Sequence, residues 1–243
     1  MVSLRIRVML RSGMRRILLI WLAFGASSLH GQAAYVGRFD LYGGAMFLES
    51  PDIQLSEPGA HLQAGVRARR WLSLGFDYSV STGDTTIVPG YLTTALQSEL
   101  AQQLAPLILA GIVSSNYSPS VPIHSQTQTF AAGPQLDWHR WNSVSLFIRP
   151  SIGAIRESAI LHPGDPIVAA VAAVLAPTGQ KLDVVPFYGA GGGATIRVTD
   201  HLGVRVQLDV VHNHLFSDIL QNGRNSVRVS IGPAFQFGSN VGK

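Results

Sequence analysis

The stretch "GVRVQLDVVHNH" (203–214) places Val204, Val206, Leu208 and Val210 on one side of an extended chain and Arg205, Gln207 and Asp209 on the other. Alternation with period two makes a strand with one apolar and one polar face. Which face meets solvent decides the environment. If the polar face is outside, the sheet belongs in water; if the apolar face is outside, the surrounding medium is lipid.

Seven further stretches share the pattern: 38–47, 61–68, 72–80, 129–138, 144–154, 183–198 and 226–237. Each is close to the 9–11 residues that a tilted strand needs to cross a bilayer. Their connections alternate as well. Short turns are expected at 69–71, 139–142 and 199–202, and long loops at 48–60, 81–128, 155–182 and 212–225. Short turns at one end and long loops at the other are the pattern of outer-membrane barrels, and an even strand number closes without an edge.

The polar faces favour the same solution. They carry Asp40, Arg67, Asp77, Asp137, Arg149, Arg197, Arg205, Asp209 and Arg228, interspersed with glycines such as Gly65, Gly75 and Gly133. Glycine weakens a strand and offers nothing to water, so it suits an outer surface poorly. Inside a narrow barrel it leaves room for arginines that cross the lumen. An eight-stranded interior is just wide enough for side chains to fill, so these nine residues are expected to form a polar plug of ion pairs. Trp71, Trp138 and Trp141 lie at or beside the short turns, where interfacial aromatics belong; packing within a turn-flanking core is the alternative.

Composition points the same way. Charged residues make up 13% of the 243 positions and apolar ones 47%, whereas soluble domains carry about 25% charge. The formal charge of +4 arises at the N-terminus: Arg5, Arg7, Arg11, Arg15 and Arg16 precede "ILLIWLAF" (17–24), and without them 13 bases face 14 acids. No basic stripe remains for nucleic acid. A positive region, a short apolar run and small residues form a secretory signal peptide, too short to span a bilayer. It is expected over 1–33 with cleavage after Ala33, or after Gly31 as the second choice, leaving 34–243 as one domain. The chain has no cysteine, so neither disulfides nor a lipid anchor on cysteine is available.

On these residues the chain resembles the small eight-stranded outer-membrane barrels of the OmpA-like transmembrane type, over roughly 35–238. The resemblance implies an all-β, up-and-down antiparallel barrel with periplasmic turns and extracellular loops. It also implies residence in a bacterial outer membrane, contact with outer-membrane lipid, and insertion by the barrel-assembly machinery. That machinery reads a final strand ending on an aromatic; "SVRVSIGPAFQF" (226–237) has this pattern, with "GSNVGK" after Phe237.

Two loop segments read as helical. In loop two, Leu92, Leu96, Leu100 and Leu104 fall four apart before Pro106; loop three contains "PIVAAVAAVLAP" (166–177). Neither suits a transmembrane helix, so both are expected to pack on each other, on the rim or in the outer leaflet. Chemistry is sparse. His212, His214 and Ser217 lie near the end of the seventh strand, but lipid A deacylases need His and Ser two apart, and that spacing is missing. Two imidazoles without a third ligand are a weak metal signal, while His124, His139, His162 and His201 read as rim or loop residues. "GAGGGA" (189–194) lies within a strand and lacks the lysine of a phosphate loop. The expectation is therefore a non-enzymatic barrel without cofactor, structural or surface-interactive, whose loops present an unidentified ligand surface. A narrow solute channel is the alternative, and a lipid-modifying enzyme comes third.

Overall fold

The structure is a computed structural model that describes residues 35–241 apart from 140, 142 and 222. The expected signal peptide lies outside the described residues. Eight strands run in chain order: β1 (Gly37–Ser50), β2 (Leu55–Arg69), β3 (Leu72–Ile87), β4 (Val121–Trp138), β5 (Val144–Leu161), β6 (Gln180–Arg197), β7 (Leu202–Asn213) and β8 (Arg224–Asn240). Each pairs antiparallel with its sequence neighbours, and β8 returns to β1 to close the barrel. Closure satisfies every ladder internally, which an open sheet cannot do in hydrocarbon. The closing seam sets Phe39 opposite Phe237, with their rings stacked 5.4 Å apart.

The apolar face points outward on every strand. Leu41, Leu62, Phe76, Phe130, Ile148 and Leu208 are all exposed, whereas Asp40, Gln63, Asp77, Arg149 and Gln207 are buried. Trp71, Trp138 and Trp141 are exposed at the short-turn end, where an aromatic girdle would meet the headgroups. Among the described residues no helix is long and apolar enough to cross a membrane; the strands supply the apolar belt.

The loops are shorter than expected. The connection expected at 48–60 is a tight turn, with Pro51–Ile53 in a 3-10 turn and Gln54 in the left-handed region at φ 52°. The others contract to 88–120, 162–179 and 214–223. The strands run well past the apolar belt at the loop end, and there the pattern changes phase. On β4, Phe130 and Leu136 face outward and Gln135 and Asp137 inward; further up, Gln126 and Gln128 face outward and Val121 and Ile123 inward. Apolar residues therefore move from the outer to the inner face within one strand. A search for one continuous apolar stripe stops at that inversion and assigns the rest to loop.

Two helices lie in the loops, as the sequence indicates: α1 (Thr94–Leu109) and α2 (Pro166–Leu175). Leu92, Leu100 and Leu104 form a buried cluster, with Leu96, Ile167 and Val171 packed against it, so the four-residue leucine spacing serves contact between α1 and α2. Asp165 caps α2, accepting from the Ile167 and Val168 amides at 2.9 Å each, and also accepts from the Tyr117 hydroxyl at 2.8 Å. These donors hold its carboxyl below the usual range and tie loop two to loop three.

Outward orientation has a measurable consequence. Leu208→Arg, in the apolar belt, should lose about 2–4 kcal/mol of stability in urea titrations in lipid vesicles, the cost of a cation in the bilayer interior. Gln126→Arg, above the belt, should cost no more than about 1 kcal/mol. Equal, near-zero effects would mean that both positions face water.

Candidate functional site

The inner faces supply the densest chemistry among the described residues, and the register builds it. Arg149 on β5 faces Gly191 on β6, Gly191 faces Asp209 on β7, and Asp209 faces Arg228 on β8. A Cβ on Gly191 would stand 1.8 Å from Asp209 Oδ1. The glycine is thus the gap that lets flanking long side chains meet, and "GAGGGA" is a packing device within β6.

Two aspartates organise the lumen. Asp77 accepts from Arg149, and from Arg228 Nη2 at 2.9 Å. Asp209 accepts from Arg228 Nε at 3.0 Å and stands 3.7 Å from Arg149. Lower in the barrel, Asp40 accepts from Arg205 Nη2 at 2.8 Å, and Arg67 lies 3.7 Å from both Asp40 and Asp137. Arg205 also sits over the Phe147 ring at 5.0 Å and the Tyr42 ring at 5.5 Å. Four arginines thus face four aspartates in two buried ion-paired sets, one above the other. The ninth residue of the expected network, Arg197, stands apart at the short-turn mouth, half-buried, where its Nη2 donates to the Tyr35 carbonyl at 3.1 Å. It makes no ion pair with the eight, because its strand ends there.

His61 was not singled out in the sequence, yet it joins this set. Its Nε2 lies 3.3 Å from Asp77 and its Nδ1 lies 3.1 Å from Ser230 Oγ. Ser, His and Asp in contact invite comparison with a catalytic triad. His61 is 0% and Ser230 1% exposed, so no acyl group can reach the hydroxyl, and the trio belongs to the plug. Only its position on the inward parity of β2 could have flagged His61. Outside the barrel, His212 Nδ1 is 2.9 Å from Asn225 Oδ1, and the His212 and His214 rings lie 4.9 Å apart. Among the described residues no group of three or more His, Cys, Asp or Glu could hold a metal ion.

Above the plug, the interior turns apolar. Ile53, Leu55, Ile123, Ile155, Phe187 and Leu220 belong to one buried cluster. Beside it lies a partly open chamber of about 70 Å³ between the strand ends, Leu92, Ala176 and the 214–223 loop. Glu157 and Arg224 pair in its wall, and Glu157 also accepts from Ser125 Oγ at 3.2 Å. Glu57 accepts from Ser81 and Thr127 at 3.1 Å each. Glu57, Glu157 and Arg224 fall in segments whose sequence reads as loop, so no strand parity marks them as inward.

At the opposite mouth, His139 is lowered from an ordinary 6.5 to about 4, first by burial and then by the positive charge of Arg67, Arg70 and Arg197. Folded His139 therefore stays neutral while the unfolded chain protonates, so stability is full above about pH 6.5 and declines as pH falls toward 4. In His139→Phe, the midpoint temperature of heat-modifiable gel migration should fall less between those pH values than in the wild type. For the plug, Asp209→Ala should cost about 3–5 kcal/mol, because it strips a partner from buried Arg228 and Arg149. Unchanged heat-modifiable migration would mean that the network does not support the barrel.

Comparison with known proteins adds the fold. No family model and no curated protein matches the chain. Among solved structures, a major outer-membrane protein from Thermus thermophilus is similar at TM-score 0.50 and 11% identity, covering 82% of this chain and 98% of that one. OprG from Pseudomonas aeruginosa gives 0.49 and 10%, covering 85% and 98%. Neisserial surface protein A gives 0.47 and 11%, also covering 85% and 98%. With the closed topology, the outward apolar belt and the paired lumen already described, the fold of this chain is that of the small eight-stranded outer-membrane β-barrels.

Proposed function

We propose that the chain is a bacterial outer-membrane protein with a structural or surface-interactive role: a barrel inserted by the assembly machinery that holds loops 88–120, 162–179 and 214–223 at the cell surface. The observation that carries this reading is the lumen. Eight charged side chains on seven of the eight strands are buried and mutually paired, and an apolar layer sits on top of them. A water-filled channel would need that network opened and the apolar layer wetted. Both changes are expensive, the first because a broken buried pair leaves an uncompensated charge. The extracellular side is also built as a surface. α1 and α2 pack together over the rim, and Leu109 and Ile112, at and just beyond the end of α1, are exposed.

The Ser230–His61–Asp77 contact is sealed inside the plug, which favours a non-enzymatic role; a Thr82–His124–Asp84 contact, at 3.0 Å and 2.8 Å, lies open to solvent at the loop end. The interior hydroxyls, such as Ser79, Ser125 and Ser230, are buried among their hydrogen-bond partners.

The test is electrical and cellular together. Expressed with its leader, the protein should fractionate with the outer membrane and migrate differently on gels before and after boiling. In planar bilayers the purified barrel should give no stable ohmic steps. Reproducible steps that respond to Asp77→Asn or Asp209→Asn would overturn the plugged reading in favour of a narrow channel. Recovery of the folded protein in plain buffer without detergent would overturn residence in the membrane altogether.

A further inference from the structure

Arg224 has two donors to spare. It is 4% exposed, and its Nη2 is engaged by Glu157, but Nε and Nη1 have no hydrogen-bond partner in the protein. Other lumen arginines also leave an Nε unengaged, but those side chains are locked among carboxylates. Arg224 alone of them borders two spaces. One is the apolar chamber of about 70 Å³, walled by Ile53, Ile87, Leu92, Ile123, Phe216 and Leu220. The other is a polar recess of about 260 Å³ at the rim, reached past Asp52, Tyr91, Gln221 and Asn225. A buried guanidinium with unused donors costs free energy unless an acceptor is supplied, and a carboxylate is the acceptor that it bonds most strongly. Glu157 engages only Nη2 of Arg224 and otherwise accepts from Ser125, while Asp52 accepts from the Asn225 amide at 3.0 Å and Asp218 pairs with Lys181.

The roof of the chamber is held under tension. Phe216, buried over the chamber, sits at φ 53°, a left-handed conformation unfavourable for a bulky side chain. Its amide is held there by Asp183 at 2.6 Å, and the Lys181–Asp218 pair fastens the same loop to β6.

We propose that this end of the barrel binds a short aliphatic carboxylate, with its chain of about three carbons in the apolar chamber and its carboxylate on Arg224 at the junction with the recess. Size sets the limit. The chamber is about half the volume of a cavity of roughly 150 Å³ that admits benzene, so longer chains gain nothing. This goes beyond the surface role and holds whether or not the lumen conducts.

The test uses the refolded barrel in detergent micelles, following the Arg224 Nε–H resonance during titration with acetate, butanoate, hexanoate and butanamide. Butanoate should shift it saturably. Acetate should bind roughly tenfold more weakly, since two methylenes are lost from the chamber, and hexanoate no more tightly than butanoate. Butanamide should bind at least tenfold more weakly than butanoate for want of the charge. In Ala159→Ile, which adds three carbons to the chamber wall and leaves Arg224 in place, butanoate should lose at least tenfold in affinity while heat-modifiable migration is kept. Absence of a saturable shift with butanoate, equal affinity for acetate, or undiminished binding by folded Ala159→Ile would each overturn the proposal. If Ala159→Ile does not fold, the chain-length series in the wild type decides alone.

Discussion

The structure depends on pairing charge inside a cylinder whose outside is apolar. Asp77 and Asp209, each shared by Arg149 and Arg228, cross-link β3, β5, β7 and β8 through the lumen. Asp40, Asp137, Arg67 and Arg205 do the same for β1, β2, β4 and β7 lower down. Barrel closure brings those groups together, and their pairing in turn makes a narrow closed barrel tolerable. An isolated charge in that interior would be prohibitive, and a pair is acceptable only with good geometry and further hydrogen bonds. Gln63, Gln135 and Gln207 provide those further bonds by bridging neighbouring carboxylates and amides. The glycines belong to the same solution, because Gly191, between Arg149 and Asp209 in the register, yields its side-chain volume to the Asp209 carboxylate.

Interior chemistry changes with height. Where the outside is aliphatic the inside is polar, and where the outside turns polar, with Gln126, Gln128 and Arg156 facing out, the inside turns apolar. Below, the strands shed apolar surface outward and seal their charges inside. Above the belt they behave like an ordinary soluble barrel with a hydrophobic core, roofed by α1 and α2. Glu57, Glu157 and Arg224 lie near the boundary between the two regimes, among hydroxyls from Ser50, Ser81, Ser125 and Thr127. The chamber of about 70 Å³ lies in the upper regime, lined mostly by apolar side chains from the strand ends and loops.

Fold similarity to an outer-membrane barrel at 11% identity reflects how few solutions lipid permits. Strand number, closure and face polarity are imposed by the medium, while the lumen contents and the loop cap are free to diverge. In this chain those free parts are the ion-paired plug, the chamber above it and the helical roof.

The eight strands, their outward apolar faces, the polar lumen and both loop helices were legible in the sequence, since period two and the leucine spacing are local signals that lipid and helix packing amplify. Eight of the nine expected network residues meet because they share the inward parity within neighbouring registers, and Arg197 does not because its strand ends at the mouth. Tertiary structure alone decided the strand lengths, the tight 51–54 turn, the inversion of polarity at mid-strand and the presence of His61, Glu57, Glu157 and Arg224 in the interior. The physical reason is that parity within one strand says only which residues share a face. Where that face passes from membrane to water is set by the height of the closed barrel, which no single strand encodes.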